Sequence, residues 1–229
     1  MEAVLNPELR GVSEHMLELG LGSLQHALRL AFYWSMENPS WPDLSVLHAA
    51  HAAEILLKAR IAQEHPLLIF EKLPKTGSGT QLDFQDLFKR GQTLAYAELP
   101  SRLWAATGIK FPDESRYLEF GKIRNSIQHF APPTSDPSVE TLRFVFEVLD
   151  PFLGDQWGLY AIDFNEESGD HYEHILEKLI HNDLRPRLSE DAARAWERES
   201  IPTDAPTGYA KWFRAERARV LGTKPSRGR

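Results

Sequence analysis

Six consecutive residues, Arg124-Asn125-Ser126-Ile127-Gln128-His129, carry the most suggestive chemistry in the chain. Arginine and histidine are what a phosphate-cleaving site needs: a permanent cation for the phosphate and an imidazole that exchanges a proton near neutral pH. On a helix, five residues turn the two side chains about 140° apart and about 7.5 Å along the axis. One helix therefore does not focus both on one atom. Two copies related by a two-fold axis would do so, with the long Arg124 reaching across a shared cleft. Asn125 and His129 stand at i and i+4, on one face and within hydrogen-bonding reach. His129 falls in the last helical turn, where the negative end of the dipole favours a cation. The plainer alternative is a surface ion pair for Arg124 and a helix-terminal cap for His129.

Other reactive groups form weaker patterns. His48, His51 and Glu54 follow at i, i+3 and i+6. They lack the paired histidines with an intervening glutamate that mark zinc peptidases, so a polar stripe facing the motif helix is expected rather than a metal site. Of the three, Glu54 is the candidate auxiliary group near the cleft. His171 and His174 sit among acids (Glu166, Glu167, Asp170 and Glu173), the pattern of a solvated helix start. The serines show no nucleophile elbow. The glycine-rich segment from Lys75 to Thr80 lacks the spacing and the preceding strand of a phosphate loop. The absence of cysteine excludes disulfides, thiolate metal sites and a cysteine nucleophile.

Helical periodicity dominates the elements that must position these groups. Asn6-Pro7-Glu8 reads as a cap with proline at the first helical position, and the helix it opens runs to about 37. The Gly20/Gly22 pair is expected to bend it. A second helix spans about 42–64, rich in alanine and long side chains. Short helices are expected near 83–90 and 100–107. A long one runs over about 112–130, stopped by Pro132-Pro133, and another over about 138–149. Residues 157–164 suit a short strand or an apolar strap. Further helices are expected near 170–181, 189–198 and 207–220. The fold class is all-α: an up-and-down bundle over residues 1–154 and a mostly helical extension over 155–229.

The segment RNSIQH resembles the R-x4–6-H motif of HEPN domains, in its R-N-x3-H form. The helix containing His51-Ala52-Ala53-Glu54-Ile55-Leu56-Leu57-Lys58-Ala59-Arg60 is similar to the HEPN helix that packs beside the motif. The resemblance covers roughly residues 10–150. It implies a dimer of helical bundles acting as a metal-independent endoribonuclease without a cofactor. His129 would serve as general acid or base, Arg124 would hold the scissile phosphate, and Asn125 would orient the histidine or the phosphate. Products would be a 2′,3′-cyclic phosphate and a 5′-hydroxyl, and DNA would resist. Such proteins act in defence or toxin–antitoxin systems, with an antitoxin or defence protein as partner. Other members are catalytically inactive modules that dimerise and recruit a protein, RNA or nucleotide. Two residues after the histidine, toxins paired with a nucleotidyltransferase antitoxin often carry a modifiable tyrosine; this chain has Ala131.

Composition is that of a globular chain: 42% hydrophobic, 26% charged, 229 residues. The net charge of −7 argues against a broadly basic duplex-DNA binder. Residues 205–229 nevertheless hold seven basic residues against one acid, a net +6, leaving −13 on the remainder. Lys211, Arg214, Arg217 and Arg219 are therefore candidate RNA contacts, with Trp212 and Phe213 interleaved for stacking or for anchoring the tail. A solvated helix end is the plainer reading. The first residues show no signal-peptide pattern, and no apolar run approaches a membrane span. A cytoplasmic protein is expected.

Overall fold

The computed structural model describes residues 5–33, 35–74, 82, 84–129, 136–164, 171–198 and 201–222. The fold is all-α, with two very short strands as the exception among the described residues. Its centre is a helix pair, α1 (Val12–Phe32) and α2 (Trp41–Glu64). The two run antiparallel, since Gly20 meets Leu56 while Arg29 lies over Trp41. Small residues make the close approach possible: Ala27, Ala31, Ala49, Ala52 and Ala53 are fully buried between bulkier neighbours. A Cβ on Gly20 would stand 2.8 Å from the Leu56 side chain. Gly20 is thus a close-packing position inside an uninterrupted helix, where the sequence suggested a bend. The Asn6 cap is present, but it closes a separate 3₁₀ turn, Pro7–Leu9, ahead of α1. At its other end α1 stops at Phe32, short of the expected 37, and Tyr33 is extended.

After α2, a 3₁₀ turn (Pro66–Ile69) leads into β1 (Phe70–Lys72). Then come α3 (Phe84–Arg90) and β2 (Gln92–Thr93), which pairs antiparallel with β1. Another 3₁₀ turn, Tyr96–Glu98, opens α4 (Leu99–Thr107). Gly108, at φ +74°, ends α4 as a left-handed cap and turns the chain toward α5 (Glu114–His129). The next helix was expected to end near 149. It continues instead: α6 (Pro137–Phe144) passes through a π turn (Val145–Leu149) into α7 (Asp150–Trp157). Pro151 explains the irregularity. It has no N–H for the carbonyl four residues back, and the Asp150 N–H bonds Val145, five back.

Residues 157–164 form an apolar strap, with Ala161 and Ile162 buried in a 3₁₀ turn. The extension then adds α8 (His171–His181), α9 (Glu190–Ala195) with a 3₁₀ turn (Trp196–Arg198), and α10 (Tyr209–Val220). Ile175, Leu179, Leu188, Trp196, Tyr209 and Phe213 join one hydrophobic core with Leu24, Leu28, Leu56 and Phe152 of the bundle. Each such fully buried side chain contributes about 1.5–3 kcal/mol. Polar clamps reinforce the seam. Lys178 Nζ donates to the Ala31 and Phe32 carbonyls, at 2.8 and 3.1 Å, capping the end of α1. The fully buried Asp150 carboxylate accepts the Ala161 and Arg187 N–H groups, each at 2.8 Å. Among the described residues, no helix is long and apolar enough to cross a membrane.

Candidate functional site

The alanine-rich faces of α2 are spent on packing, and Glu54 lies at the edge that meets α5. There Glu54 and Lys58 form an i,i+4 pair, Lys58 Nζ lying 2.7 Å from Glu54 Oε1. Lys58 is pinned further by Thr93 Oγ1 of β2, at 3.2 Å. The second oxygen of Glu54 faces Arg124 of α5, with Oε2 3.6 Å from Nη2. One carboxylate thus serves two cations. Lys58 is its tight partner and Arg124 its loose one. All three side chains are largely shielded, at 9% exposure for Lys58, 22% for Glu54 and 25% for Arg124.

Arg124 has further neighbours. Its Nη1 donates to Asn125 Oδ1 at 3.0 Å and to Gln128 Oε1 at 3.4 Å. Its guanidinium carbon lies 5.6 Å from the centre of the Tyr96 ring, a cation–π distance. Tyr96 is stacked on Tyr117, ring centres 4.1 Å apart and nearly parallel. Each hydroxyl donates to the other residue's carbonyl, at 3.2 and 3.0 Å. Gly121 allows this platform to lie against α5, because a Cβ there would stand 2.7 Å from the Tyr96 ring. Burial pushes both tyrosine hydroxyls far above their ordinary range, so they stay neutral and act as walls.

His129 is the last residue of α5 and exposed. Asn125, at i and i+4 with His129, offers its amide oxygen to Arg124. On α2, His51 is exposed and His48 half-buried. The His48 ring lies 5.8 Å from that of His26 on α1. Burial, then His26 and His51 in turn, lowers the His48 pKa from its ordinary value. Among the described residues, no group of three or more histidine and carboxylate side chains could hold a metal ion.

The basic residues of α10 divide into two kinds. Lys211 and Arg214 are exposed. Arg217 Nε donates to the Ala193 carbonyl at 3.0 Å and its Nη1 to that of Glu197 at 3.4 Å, while its guanidinium lies 5.7 Å over Phe213. Arg219 grips Glu216 with two bonds, at 2.8 and 2.6 Å. Phe213 is buried beside Trp196, and Trp212 packs edge-on to Tyr209. Lys224, Arg227, Arg229, Ala131, Pro132-Pro133, the Lys75 to Thr80 segment and the acids Glu166, Glu167 and Asp170 lie outside the described residues.

The structure therefore brings together Arg124, Asn125 and Glu54, and adds Lys58, Gln128, Tyr96 and Tyr117. Two of the additions had a local signal: Gln128 is at i+4 from Arg124, and Lys58 at i+4 from Glu54. The tyrosine platform had none, since Tyr96 reaches α5 only through the tertiary fold. No family model, curated protein or solved structure matches this chain.

Proposed function

We propose that the chain is a HEPN-type endoribonuclease of a defence or toxin–antitoxin system, cleaving RNA through attack by the 2′-hydroxyl in a dimeric cleft. The observation that carries this reading is the setting of Arg124: shielded, laid on an aromatic face and 3.6 Å from a carboxylate that a lysine already neutralises. A phosphate oxygen arriving at Arg124 displaces the loose Glu54 contact, and Glu54 keeps Lys58. The cation is thus available without stranding a carboxylate. In the transition state, charge grows on the phosphoryl oxygens, where a fixed guanidinium stabilises it most. His129, exposed at the helix end, exchanges the proton.

A rival reading has its own observation. Arg124 already bonds Asn125 and Gln128, as a residue would in an inactive dimerisation or recruitment module. Cleavage assays separate the two. With EDTA present, the wild type cleaves RNA to 2′,3′-cyclic phosphate ends and leaves DNA intact. His129→Ala cleaves on the order of 10²-fold more slowly or worse, the usual scale for a lost acid or base. Equal rates for the two proteins would favour the module.

A further inference from the structure

We infer that His51 is a second acid–base histidine of this site, contributed by the same protomer as Arg124; in the dimeric cleft already proposed, His129 comes from the partner protomer. The inference rests on the nuclease reading above. It begins with a need. Attack by a 2′-hydroxyl requires one group to take its proton and another to protonate the departing 5′-oxygen. The motif supplies one histidine, and on the wrong side: His129 stands about 140° around α5 from Arg124. Arg124 faces α2, where its contact is Glu54. His51 lies one helical turn before Glu54, about 4.5 Å along the axis and about 60° around it. His51 is exposed, so its ring is open to an incoming strand. On the α2 side of Arg124, His51 is the histidine nearest in sequence to Glu54.

Along α2 the nearest charged or titratable residues to His51 are His48 and Glu54; His26 on α1 stands beside His48, and Arg124 on α5 beside Glu54. In the step proposed, neutral His51 accepts the 2′-hydroxyl proton as O2′ forms its bond to phosphorus. The P–O5′ bond breaks, and protonated His129 gives its proton to O5′. The products are a 2′,3′-cyclic phosphate and a 5′-hydroxyl, with two histidines of exchanged protonation. Solvent restores them, and nothing is oxidised or reduced.

The test uses the full chain, a single-stranded RNA and the variants His51→Gln, Arg124→Ala and His129→Ala, each checked for helical content and melting temperature. His51→Gln lowers the saturated cleavage rate on the order of 10²-fold and removes one limb of a bell-shaped pH profile. Added imidazole partly restores His51→Ala. After subunit exchange, Arg124→Ala with His129→Ala regains about a quarter of wild-type activity, because half the dimers then carry one intact site of two. His51→Gln with His129→Ala regains the same fraction. Arg124→Ala with His51→Gln regains none, because both lesions fall on the same half of the site. An unchanged pH profile for His51→Gln overturns the inference and leaves the nuclease standing. Recovery in the Arg124→Ala/His51→Gln mixture, or a monomer that cleaves, overturns the shared arrangement. A wild type that cleaves no RNA overturns the nuclease reading itself, and His51 with it.

Discussion

Arg124 and Arg217 sit in nearly the same way on their aromatic neighbours, 5.6 Å over Tyr96 and 5.7 Å over Phe213. They differ in where their N–H groups end. Arg217 donates to main-chain carbonyls at the end of α9 and in the turn beyond it. Arg217 thereby caps the end of α9 and the turn that follows it. Among the described residues, Arg124 donates to two side-chain amides and stands 3.6 Å from a carboxylate that has a second cation. Side chains can turn away when a ligand arrives, and a helix end cannot. The same residue on the same kind of ring is thus a clamp in the extension and an exchangeable contact in the bundle.

The sharpest way to break that comparison is to truncate each arginine. Arg124→Ala is expected to lower RNA cleavage on the order of 10²-fold or more, with a melting temperature close to wild type, because the two amides it bonds are exposed and its contact with Glu54 is loose. Arg217→Ala should do the reverse. It loses two main-chain bonds and a cation–π contact, about 1–2 kcal/mol of stability, with saturated cleavage unchanged. Cleavage rates beside urea unfolding curves read both. If Arg217→Ala slows cleavage while leaving stability intact, the two arginines have been assigned the wrong way round.

How much of this was legible in the sequence follows from range. Pattern-level features were readable: α2, α4 and α5 begin and end within a few residues of their expected bounds, and Glu54 does face Arg124. Helical spacing suffices for those. What depends on tertiary contact was not. The stop of α1 at Phe32 is set by Lys178, more than a hundred positions away, and no local residue announces it. The β1–β2 pair joins segments either side of α3, too short for alternation to register. Pro151 reads as a helix stop by local rules, yet the helix crosses it through a π turn whose Val145, Phe146, Val148 and Leu149 are buried in the core. Among the basic residues of α10, charge alone could not separate Arg217 and Arg219, already bonded, from Lys211 and Arg214.

A smaller effect sharpens the clamp side of the comparison. Asp150 joins α7 to the strap and to Arg187, and burial pushes its pKa from 3.8 up to about 6 against the pull of two N–H donors. Between those values the folded chain holds a proton that the unfolded chain has released. The contribution of this group is therefore complete below the unfolded value and is lost as pH rises toward 6, by about 1.4 kcal/mol per unit. Asp150→Asn cannot titrate. Urea unfolding of the two proteins from pH 4 to 7 should show a shallower decline for the variant, whatever its absolute stability. Parallel curves would mean that Asp150 is ionised throughout, and that its two N–H donors outweigh its burial.

The weakest expected effect concerns Lys211 and Arg214, the α10 cations left exposed once Arg217 and Arg219 are accounted for. If they touch RNA phosphates, each contact releases counterions, and reversing the charge flattens the salt dependence of binding by about 0.7 log units per contact for a single strand. The loss should be uniform across sequences, because a phosphate carries no base information. Cleavage at saturating substrate should change little, since contacts equal in ground and transition states alter apparent affinity more than turnover. Reversing Arg217 or Arg219 is a different experiment. Each is bonded within the protein, so the first consequence is loosening of α10, visible as a lower melting temperature before any change in binding. RNA affinity measured across salt for Lys211→Glu/Arg214→Glu therefore decides whether the extension reaches the substrate. A flatter slope gives it a role in capture. An unchanged slope restricts it to packing, and leaves the edge between α2 and α5 as the surface to test for RNA contact.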